Sequence, residues 1–283
     1  MHFHKIHGLG NDFVLTRDLD PARHDLARTA RALCDRHFGI GADGLILVLP
    51  SEKADFSMRI FNPDGSEAEM CGNGIRCFAK YVYEQGLTEK TNLAVETLAG
   101  IIKPQLKVSG GEVQEVRVDM GRPRLTAAEI PVAGFGPGPV REAELTVDGT
   151  KLTFTAVSMG NPHAVIQVDD LARLPWQTLG PAVESHSAFP RKTNVEFAQV
   201  LGPQEVQVAV WERGAGATLA CGTGACAAVV ALSLTGRLER RSTVHLPGGD
   251  LEILWAENDH VYMTGPAATV FTGEYLLDLA TLA

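Results

Sequence analysis

Two helix-forming stretches stand out along the chain, and each follows directly after a cysteine-glycine pair. The first is IRCFAKYVYEQG and the second is ACAAVVALSLTG, and each ends at a glycine suited to terminate a helix. A third helical stretch, DLARTARALCDRHF, lies nearer the N-terminus. Short runs of leucine, β-branched and aromatic residues, typical of strands, occur at 45–49, 60–61, 93–95, 206–211 and 243–246. The pattern therefore predicts a mixture of helices and strands.

The chain contains an internal repeat. The tetrapeptide CGNG at 71–74 returns as CGTG at 221–224, a displacement of 150 positions. The same displacement carries GN at 10–11 onto 160–161, IFN at 60–62 onto VWE at 210–212, and Gly86 onto Gly236. One such match is unremarkable in a glycine-rich chain, but four blocks in one register indicate two related halves.

The repeat predicts where the chain divides. Residues 121–145 are rich in glycine and proline and show no periodicity, which suits a crossing between the halves. We predict an N-terminal half at 1–121, completed by a C-terminal segment at 267–283, and a second half at 122–266. The predicted fold class is α+β. Its two similar halves, related by pseudo-two-fold symmetry, are each a mixed β-sheet or barrel around a central helix.

Composition narrows the class of protein. The 283 residues are 45% hydrophobic and 21% charged, as in an ordinary soluble globular protein. The net charge of −9 comes with no basic run, so we expect no nucleic-acid partner. The N-terminus lacks the apolar core of a signal peptide, and the uncharged stretch 214–236 is interpreted as a buried helix. We therefore expect no membrane partner either.

The cysteines indicate a reduced, cytoplasmic protein. Their number is five, which is odd, and neither the 71–77 nor the 221–226 spacing forms a C-x-x-C motif. Zinc and thioredoxin-like chemistry are therefore not expected. The irregularly spaced His2, His4 and His7 have no carboxylate cluster nearby, so they are interpreted as the exposed face of an edge strand.

The sequence offers no convincing cofactor motif. Glycines at 39, 41 and 44 match a dinucleotide fingerprint by letter, but a helix precedes them and a strand follows. That order is the reverse of the one a dinucleotide site needs, so they predict a turn. We expect neither a cofactor nor a metal.

The two C-G-x-G units suggest a specific chemistry. Unpaired amides at a helix N-terminus attract anions, and glycine lets a ligand approach the backbone closely. The same field should lower the pKa of a thiol. Two such thiols on opposite sides of a small acid could invert a stereocentre, if one is a thiolate and the other a thiol. Cys71 and Cys221 are the candidates, although free cysteines are often merely buried, as we expect for Cys34, Cys77 and Cys226.

Several longer motifs resemble one family. HGLGNDF at 7–13, FNPDGSEAEMCGNGIRC at 61–77, SMGNPHAV at 158–165, TNVEF at 193–197 and WERGAGATLACGTGACA at 211–227 are together highly specific. The chain resembles the diaminopimelate epimerases, cofactor-independent isomerases of lysine and peptidoglycan precursor synthesis. The resemblance implies epimerisation of LL-2,6-diaminopimelate to meso-diaminopimelate by a two-base thiol and thiolate mechanism.

The resemblance also implies roles for individual residues. Cys71 and Cys221 would be the two acid/base residues, with His163 and Glu212 assisting near the reacting centre. The implied substrate-binding residues are Asn11, Asn62, Gly72, Asn73, Asn161, Asn194, Glu212, Arg213, Gly222 and Thr223. Three positions depart from the family pattern: Gly44 offers no side-chain contact, Ala217 removes a possible loop-anchoring carboxylate, and Leu219 stands where a polar residue is sometimes found.

Two other functions stay open at this point. Another two-cysteine amino-acid racemase or epimerase on the same scaffold, such as a proline- or histidine-racemase-like enzyme, would have no distal carboxylate for Arg213 to bind. A non-catalytic amino-acid-binding protein would have no use for two activatable thiols. In each case the expected partner is a small amino acid, and a homodimer is an open expectation.

Overall fold

The computed structural model describes residues 1–276 and divides the chain into two units. The first unit contains Met1–Val118 together with the chain from Gly265 onward, and the second contains Asp119–Thr264. The sequence-based prediction had the halves at 1–121 and 122–266, with a C-terminal segment at 267–283. Residues 277–283 of that segment lie outside the described residues.

The N-terminal part of the chain contributes two helices and nine strands, all within the described residues. In chain order these are β1 (His2–Gly8), β2 (Asn11–Thr16), α1 (Leu26–Cys34), β3 (Gly44–Leu49), β4 (Phe56–Phe61), β5 (Glu67–Ala68), α2 (Gly72–Glu84), β6 (Val95–Thr97), β7 (Gly100–Ile102), β8 (Gln105–Ser109) and β9 (Glu112–Asp119).

The following residues contribute two more helices and ten strands up to residue 276. They are β10 (Ala143–Val147), β11 (Thr150–Ser158), β12 (Pro162–Gln167), α3 (Trp176–Glu184), β13 (Asn194–Gly202), β14 (Glu205–Glu212), β15 (Gly216–Thr218), α4 (Gly222–Leu234), β16 (Arg241–Leu246), β17 (Gly249–Trp255), β18 (Val261–Gly265) and β19 (Ala268–Glu274).

The two units build their sheets in the same way. In the first unit the strand order is β19-β1-β2-β3-β4-β6-β7, with β5 paired to β4. In the second it runs β10-β11-β12-β13-β14-β16-β17-β18, with β15 paired to β14. Parallel pairs occur at equivalent places, β2 with β3 and β4 with β6 in one unit, β12 with β13 and β14 with β16 in the other. Antiparallel hairpins flank these pairs in both units.

The repeat seen in the sequence is confirmed by the helices. Helices α1 and α3, and helices α2 and α4, are displaced by 150 positions at both of their ends. Helix α2 packs against β1 to β4, and α4 packs against β11 to β14 and against β16 and β17. Since α4 is made of small and β-branched apolar residues, it can be buried on every side. The predicted pair of similar halves, each a mixed sheet around a central helix, is therefore confirmed.

Helix α1 is shorter than its sequence pattern predicts. It begins after Asp25, whose carboxylate accepts a hydrogen bond from the backbone of Arg28 at 3.1 Å. It ends at Cys34, because Asp35 binds the amides of His37 and Phe38, each at 2.7 Å, and turns the chain. The glycine-rich residues that follow lead directly into β3, so the prediction of a turn there is confirmed.

Two strand predictions need correction. The strand expected at 93–95 begins at Val95, because the amide of Ala94 donates to the side chain of Asp55 at 2.8 Å and not to a neighbouring strand. The strand with the N-terminal histidines is also not an edge strand. It lies between β2 and β19, and β19 is supplied by the far end of the chain.

None of the helices in residues 1–276 has both the length and the apolar character that a membrane crossing requires.

Candidate active site

Cys71 lies immediately before the first turn of α2. Its backbone is extended, at φ −137° and ψ 123°, and its Sγ accepts a hydrogen bond from the amide of Gly74 at 3.4 Å. The side chain is partly exposed. Because the first amides of a helix have no partners within it, Gly72 and Asn73 can present theirs to an anion beside this sulfur.

Asn11 links the thiol of Cys71 to the rest of the first unit. Its Oδ1 accepts a hydrogen bond from Asn73 Nδ2 at 3.1 Å and lies 3.8 Å from Cys71 Sγ. Its Nδ2 donates to Asp43 at 3.0 Å, and Asp43 is held in turn by the guanidinium of Arg36 at 2.7 Å. Three of the predicted residues, Cys71, Asn11 and Asn73, therefore meet here.

Asn62 does not join this group. It is exposed in the turn after β4, where its Nδ2 donates to Ser66 Oγ at 2.9 Å and its backbone amide donates to the Ser66 carbonyl at 2.8 Å. Its side chain is therefore committed to its own turn.

Cys221 occupies the equivalent place before α4. Its backbone is again extended, at φ −118° and ψ 108°, and its Sγ accepts from the amide of Gly224 at 3.4 Å. The hydroxyl of Thr223 lies 3.5 Å from the sulfur. Unlike Cys71, this residue is only 4% exposed. The two thiols therefore share their backbone geometry and differ in their surroundings.

The pKa of Cys221 runs against the sequence-based expectation. Burial raises it well above the usual range, and the carboxylates of Glu212 and Glu196 raise it further. The hydrogen bonds from Thr223 and Gly224 lower it, but by less. The prediction that the helix N-terminus makes this thiol acidic is therefore wrong for Cys221, because burial and two nearby carboxylates outweigh the helix field.

A chain of hydrogen bonds leads inward from Cys221. Thr223 Oγ1 accepts from Asn161 Nδ2 at 3.3 Å, and Asn161 Oδ1 lies 2.9 Å from Nε2 of His163. The other ring nitrogen of His163, Nδ1, lies 2.7 Å from Glu196 Oε1. Both His163 and Glu196 have fully buried side chains. Four predicted residues are therefore joined, and the chain ends on a carboxylate that the prediction did not include.

Asn194 and Arg213 meet through the backbone. Asn194 Oδ1 accepts from the Arg213 amide at 2.9 Å, while its Nδ2 donates to the Pro162 carbonyl at 2.8 Å. The Arg213 side chain is exposed and donates to the carbonyl of Arg191 at 3.2 Å. Asn194 thus fixes the loop that carries Arg213, while no ion pair of 4.0 Å or less involves this guanidinium in residues 1–276.

Glu212 lies one residue before Arg213, at the end of β14. It is half-buried, and its Oε1 accepts a hydrogen bond from Thr218 Oγ1 at 2.6 Å. Thr218 belongs to β15, which pairs back onto β14. The carboxylate is therefore held in place by a neighbouring strand of its own sheet.

The departures from the family pattern have structural consequences at one position. A Cβ on Gly44 would lie 2.9 Å from the Phe61 carbonyl oxygen and 3.2 Å from the Phe13 ring, so a side chain there would require the backbone to shift. Ala217 and Leu219 are both exposed, and nothing in the structure explains these two substitutions.

Sequence reasoning missed three residues that hold predicted ones in place. Asp43 binds Asn11, Thr218 binds Glu212, and Glu196 binds His163. The repeat contained a signal for one of them, because a displacement of 150 aligns Glu196 with Ile46. A charged residue between Val195 and Phe197, where the related half has isoleucine, marks an unusual position.

The remaining cysteines lie in the interior, as predicted for packing residues. Cys34, Cys77 and Cys226 are at most 3% exposed. Burial raises the pKa of Cys34 and of Cys77 to about 12. No group of three or more histidine, cysteine or acidic residues in residues 1–276 is arranged to hold a metal ion.

Comparison with known proteins agrees with these observations. The diaminopimelate epimerase family profile matches residues 3–126 and 155–270. Diaminopimelate epimerases from Moorella thermoacetica and Pelotomaculum thermopropionicum are 61% and 60% identical to the chain. These matches cover 98% and 97% of this chain and 100% and 99% of the relatives.

Solved structures show the same fold at low sequence identity. A PhzF-family phenazine biosynthesis protein from Bacillus anthracis superposes with a TM-score of 0.70 at 18% identity, over 98% of this chain and 99% of that one. A hydroxyproline epimerase from Agrobacterium vitis gives 0.68 at 17% identity, over 96% and 91%. Given the family match and the high identity of its relatives over nearly full length, the chain belongs to the diaminopimelate epimerase family.

Proposed function

We propose that the protein inverts one stereocentre of LL-2,6-diaminopimelate to give meso-diaminopimelate, in lysine and peptidoglycan precursor synthesis. The observation that carries the proposal is the pair of helices α2 and α4, each with a cysteine directly before its first turn and a first-turn amide bonded to that sulfur, in a member of this family. Each sulfur is thus placed beside donors suited to a carboxylate.

The reaction needs two groups in different protonation states. One sulfur, as a thiolate, takes the α-proton, so that the C–H bond breaks and an S–H bond forms. The other sulfur, as a thiol, donates its proton to the opposite face of the α-carbon. The raised pKa of Cys221 supports its role as the thiol in the resting enzyme. In that state Cys71 is the sulfur that removes the proton, so the turnover leaves Cys71 as the thiol and Cys221 as the thiolate. Loss of a proton from Cys71 to solvent and uptake of one by Cys221 restore the starting form.

The amides are proposed to stabilise the charge that develops at the reacting centre. As the α-proton leaves, negative charge spreads onto the substrate carboxylate. Backbone amides of Gly72 and Asn73, and of Gly222 and Thr223, are suited to receive that charge at the positive ends of α2 and α4. In this scheme the protein groups alone supply the stabilisation, so the proposal includes neither cofactor nor metal.

The distal end of the substrate is assigned to Glu212 and Arg213. The exposed guanidinium of Arg213 suits a carboxylate, and the carboxylate of Glu212 suits an ammonium group. Asn194 supports this assignment because it holds the loop through the Arg213 amide. A substrate with a second amino-carboxylate matches these charges, whereas proline and histidine do not.

Deuterium exchange tests the function directly. The protein is incubated with LL-diaminopimelate in deuterated water, and deuterium at the α-carbon is followed together with the appearance of the meso isomer. We expect one deuterium at the inverted centre, since solvent exchanges with the thiols. Binding without exchange would identify an amino-acid-binding protein. Inversion of proline or histidine, with none of diaminopimelate, would identify a different racemase of the same fold.

The pH dependence of the rate is expected to be bell-shaped. Activity should rise as the first sulfur ionises and fall as the second loses its proton, because the reaction needs one of each form. Since the pKa of Cys221 is raised, the falling limb should lie on the alkaline side. Initial rates from about pH 6 to about pH 11, measured beside circular dichroism spectra that show the protein still folded at the alkaline end, would reveal both limbs. A rate that only rises would argue against a protonated partner.

Three further properties remain predictions. We expect a cytoplasmic location, in keeping with the odd number of cysteines and the absence of a C-x-x-C motif from the sequence. A homodimer stays an open expectation, and a small amino acid is the predicted partner.

A further inference from the structure

Glu196 is a carboxylate in an unusual place. It lies within β13, between Val195 and Phe197, and it is not exposed at all. Its Oε1 bonds to His163 and lies 2.7 Å from the position that a Cβ on Gly224 would occupy. Within residues 1–276 its Oε2 has no hydrogen-bond partner. The carboxylate is therefore packed tightly against the first turn of α4 and depends on His163 for its hydrogen bond.

The first unit has apolar residues at the positions equivalent to His163 and Glu196. There the residues displaced by 150 are Phe13 and Ile46 in place of His163 and Glu196. The strand registers agree, since Phe13 pairs with Gly44 as His163 pairs with Asn194. Phe13 is 2% exposed and Ile46 is not exposed. The same framework thus packs an apolar pair beneath Cys71 and a polar pair beneath Cys221.

The free-energy cost of burying His163 and Glu196 indicates that this polar pair does not serve to stabilise the fold. Burying two ionisable groups carries a desolvation penalty, and well-packed apolar residues in their place are often neutral or stabilising. The first unit shows that the fold accepts such residues at these positions. The pair is therefore best explained by what it does for Cys221.

The hydrogen bonds also fix how many protons the pair holds. Both ring nitrogens of His163 face oxygen acceptors, Glu196 Oε1 at 2.7 Å and Asn161 Oδ1 at 2.9 Å. A neutral ring donates one N–H, so both bonds form only if one further proton lies between Nδ1 and the carboxyl. Burial raises the pKa of the Glu196 carboxyl, which favours such sharing. Whether that proton lies on Nδ1 of His163 or on the carboxyl of Glu196, the two side chains together have no net charge. In both cases Nε2–H of His163 points to Asn161.

We propose that Glu196 is a positioning residue for the reaction at Cys221. By holding Nδ1 it fixes the His163 ring with Nε2–H toward Asn161. Asn161 is thereby oriented with its Nδ2 toward Thr223, and the Thr223 hydroxyl is set beside the sulfur. This inference rests on the proposed function, in which Cys221 exchanges a proton with the substrate. In the first unit Phe13 and Ile46 stand at the positions of His163 and Glu196, and Cys71 is linked instead through Asn11 to Asp43, so the two thiols are held in different ways.

Other ionisable groups act on the same region. The carboxylate of Glu212, on β14, raises the pKa of Glu196 and also that of Cys221. His163, on β12, lowers the pKa of Glu196, and Cys221 itself stands at the start of α4. A Glu196 variant must therefore be compared with the wild type by the state of the His163 ring as well as by the rate of epimerisation.

The test compares Glu196→Gln with Glu84→Gln. The second variant makes the same chemical change at the far end of α2, where Glu84 bonds to Lys80. Glutamine at 196 keeps a hydrogen bond to the ring but cannot share a proton with it. We expect kcat on LL-diaminopimelate to fall about 10- to 100-fold, by analogy with the loss that follows when the partner orienting a metal-bound histidine is removed. KM should change by less than about twofold, since Glu196 is fully buried and acts through His163. Glu84→Gln should match the wild type.

Nitrogen-15 spectra of labelled histidine provide a readout independent of turnover. His163 is assigned by its loss in His163→Phe. In the wild type the spectrum should report a protonated Nε2 with a hydrogen-bonded Nδ1, and Glu196→Gln should shift the Nδ1 signal. If the wild type fails to invert diaminopimelate, the proposed function fails while this measurement still tests Glu196. An unchanged His163 signal and unchanged kcat in Glu196→Gln would overturn the inference.

A double variant separates positioning from folding. His163→Phe combined with Glu196→Ile gives the second unit the pair that the first unit already has. We expect its urea midpoint to equal or exceed that of the wild type, while kcat falls at least as far as in Glu196→Gln. A large loss of stability would instead show that the pair is structural, and the inference would be rejected.

Discussion

Replacing Cys221 with alanine is expected to abolish inversion of LL-diaminopimelate while the protein stays folded. Alanine removes the proton that the proposed mechanism delivers to the α-carbon, and Cys71→Ala removes the group that takes one away. General acid or base groups contribute about 10²- to 10⁴-fold, so each variant should fall at least that far. Rates of meso-diaminopimelate formation, measured beside circular dichroism spectra, would establish both points.

The chain supplies matched controls for these variants. Cys77→Ala and Cys226→Ala remove buried thiols from α2 and α4, the helices that follow Cys71 and Cys221. They should cost some stability and leave kcat close to that of the wild type, because neither sulfur stands at a helix N-terminus. Wild-type turnover by Cys71→Ala or Cys221→Ala would refute the two-base mechanism.

Replacing Arg213 with alanine is expected to lower kcat/KM on diaminopimelate by about two orders of magnitude. Removing one partner of a hydrogen-bonded charge pair costs about 2–5 kcal/mol, and each tenfold corresponds to about 1.4 kcal/mol. Arg213→Lys should recover part of the loss, since an ammonium binds a carboxylate as a point charge and not as a planar fork. The measurement is kcat/KM on diaminopimelate and on lysine, which lacks the distal carboxylate.

Arg191→Ala is the control for this experiment. It removes a neighbouring exposed guanidinium but keeps the backbone carbonyl to which Arg213 donates. Its kcat/KM should remain near the wild-type value. The assignment of Arg213 to the distal carboxylate fails if the wild type uses lysine as well as it uses diaminopimelate. It also fails if Arg213→Ala lowers kcat/KM equally for both substrates.

Much of the architecture could be predicted from the sequence because it is repeated. The C-G-x-G units, with their apolar runs and terminal glycines, marked both central helices, and the displacement of 150 gave the second unit from the first. Within each half, the C-G-x-G unit, the apolar run and the terminal glycine lie close together along the chain. They are therefore visible without knowing the tertiary structure.

The features that escaped prediction depend on residues distant along the chain. The pKa of Cys221 is raised by burial and by Glu196 and Glu212, which come from other strands. Strand β1 is not the edge strand that the sequence predicted, because β19 pairs with it. Glu196 could have been singled out by its alignment with Ile46, but its contact with His163 spans 33 positions and becomes visible only when β12 and β13 pair.

The pairing of β1 with β19 also has a consequence for biosynthesis. The amino group of Met1 bonds to the carbonyl of Tyr275, 274 positions away, and β1 takes β19 as a neighbour. The ribosome therefore releases the N-terminal strand long before its partner exists. The second unit is one uninterrupted segment, Asp119–Thr264, so it can gather all its strands first. Strand β1 is thus made before the second unit and completed after it, and until β19 pairs with it β1 presents one edge with its hydrogen bonds unmade.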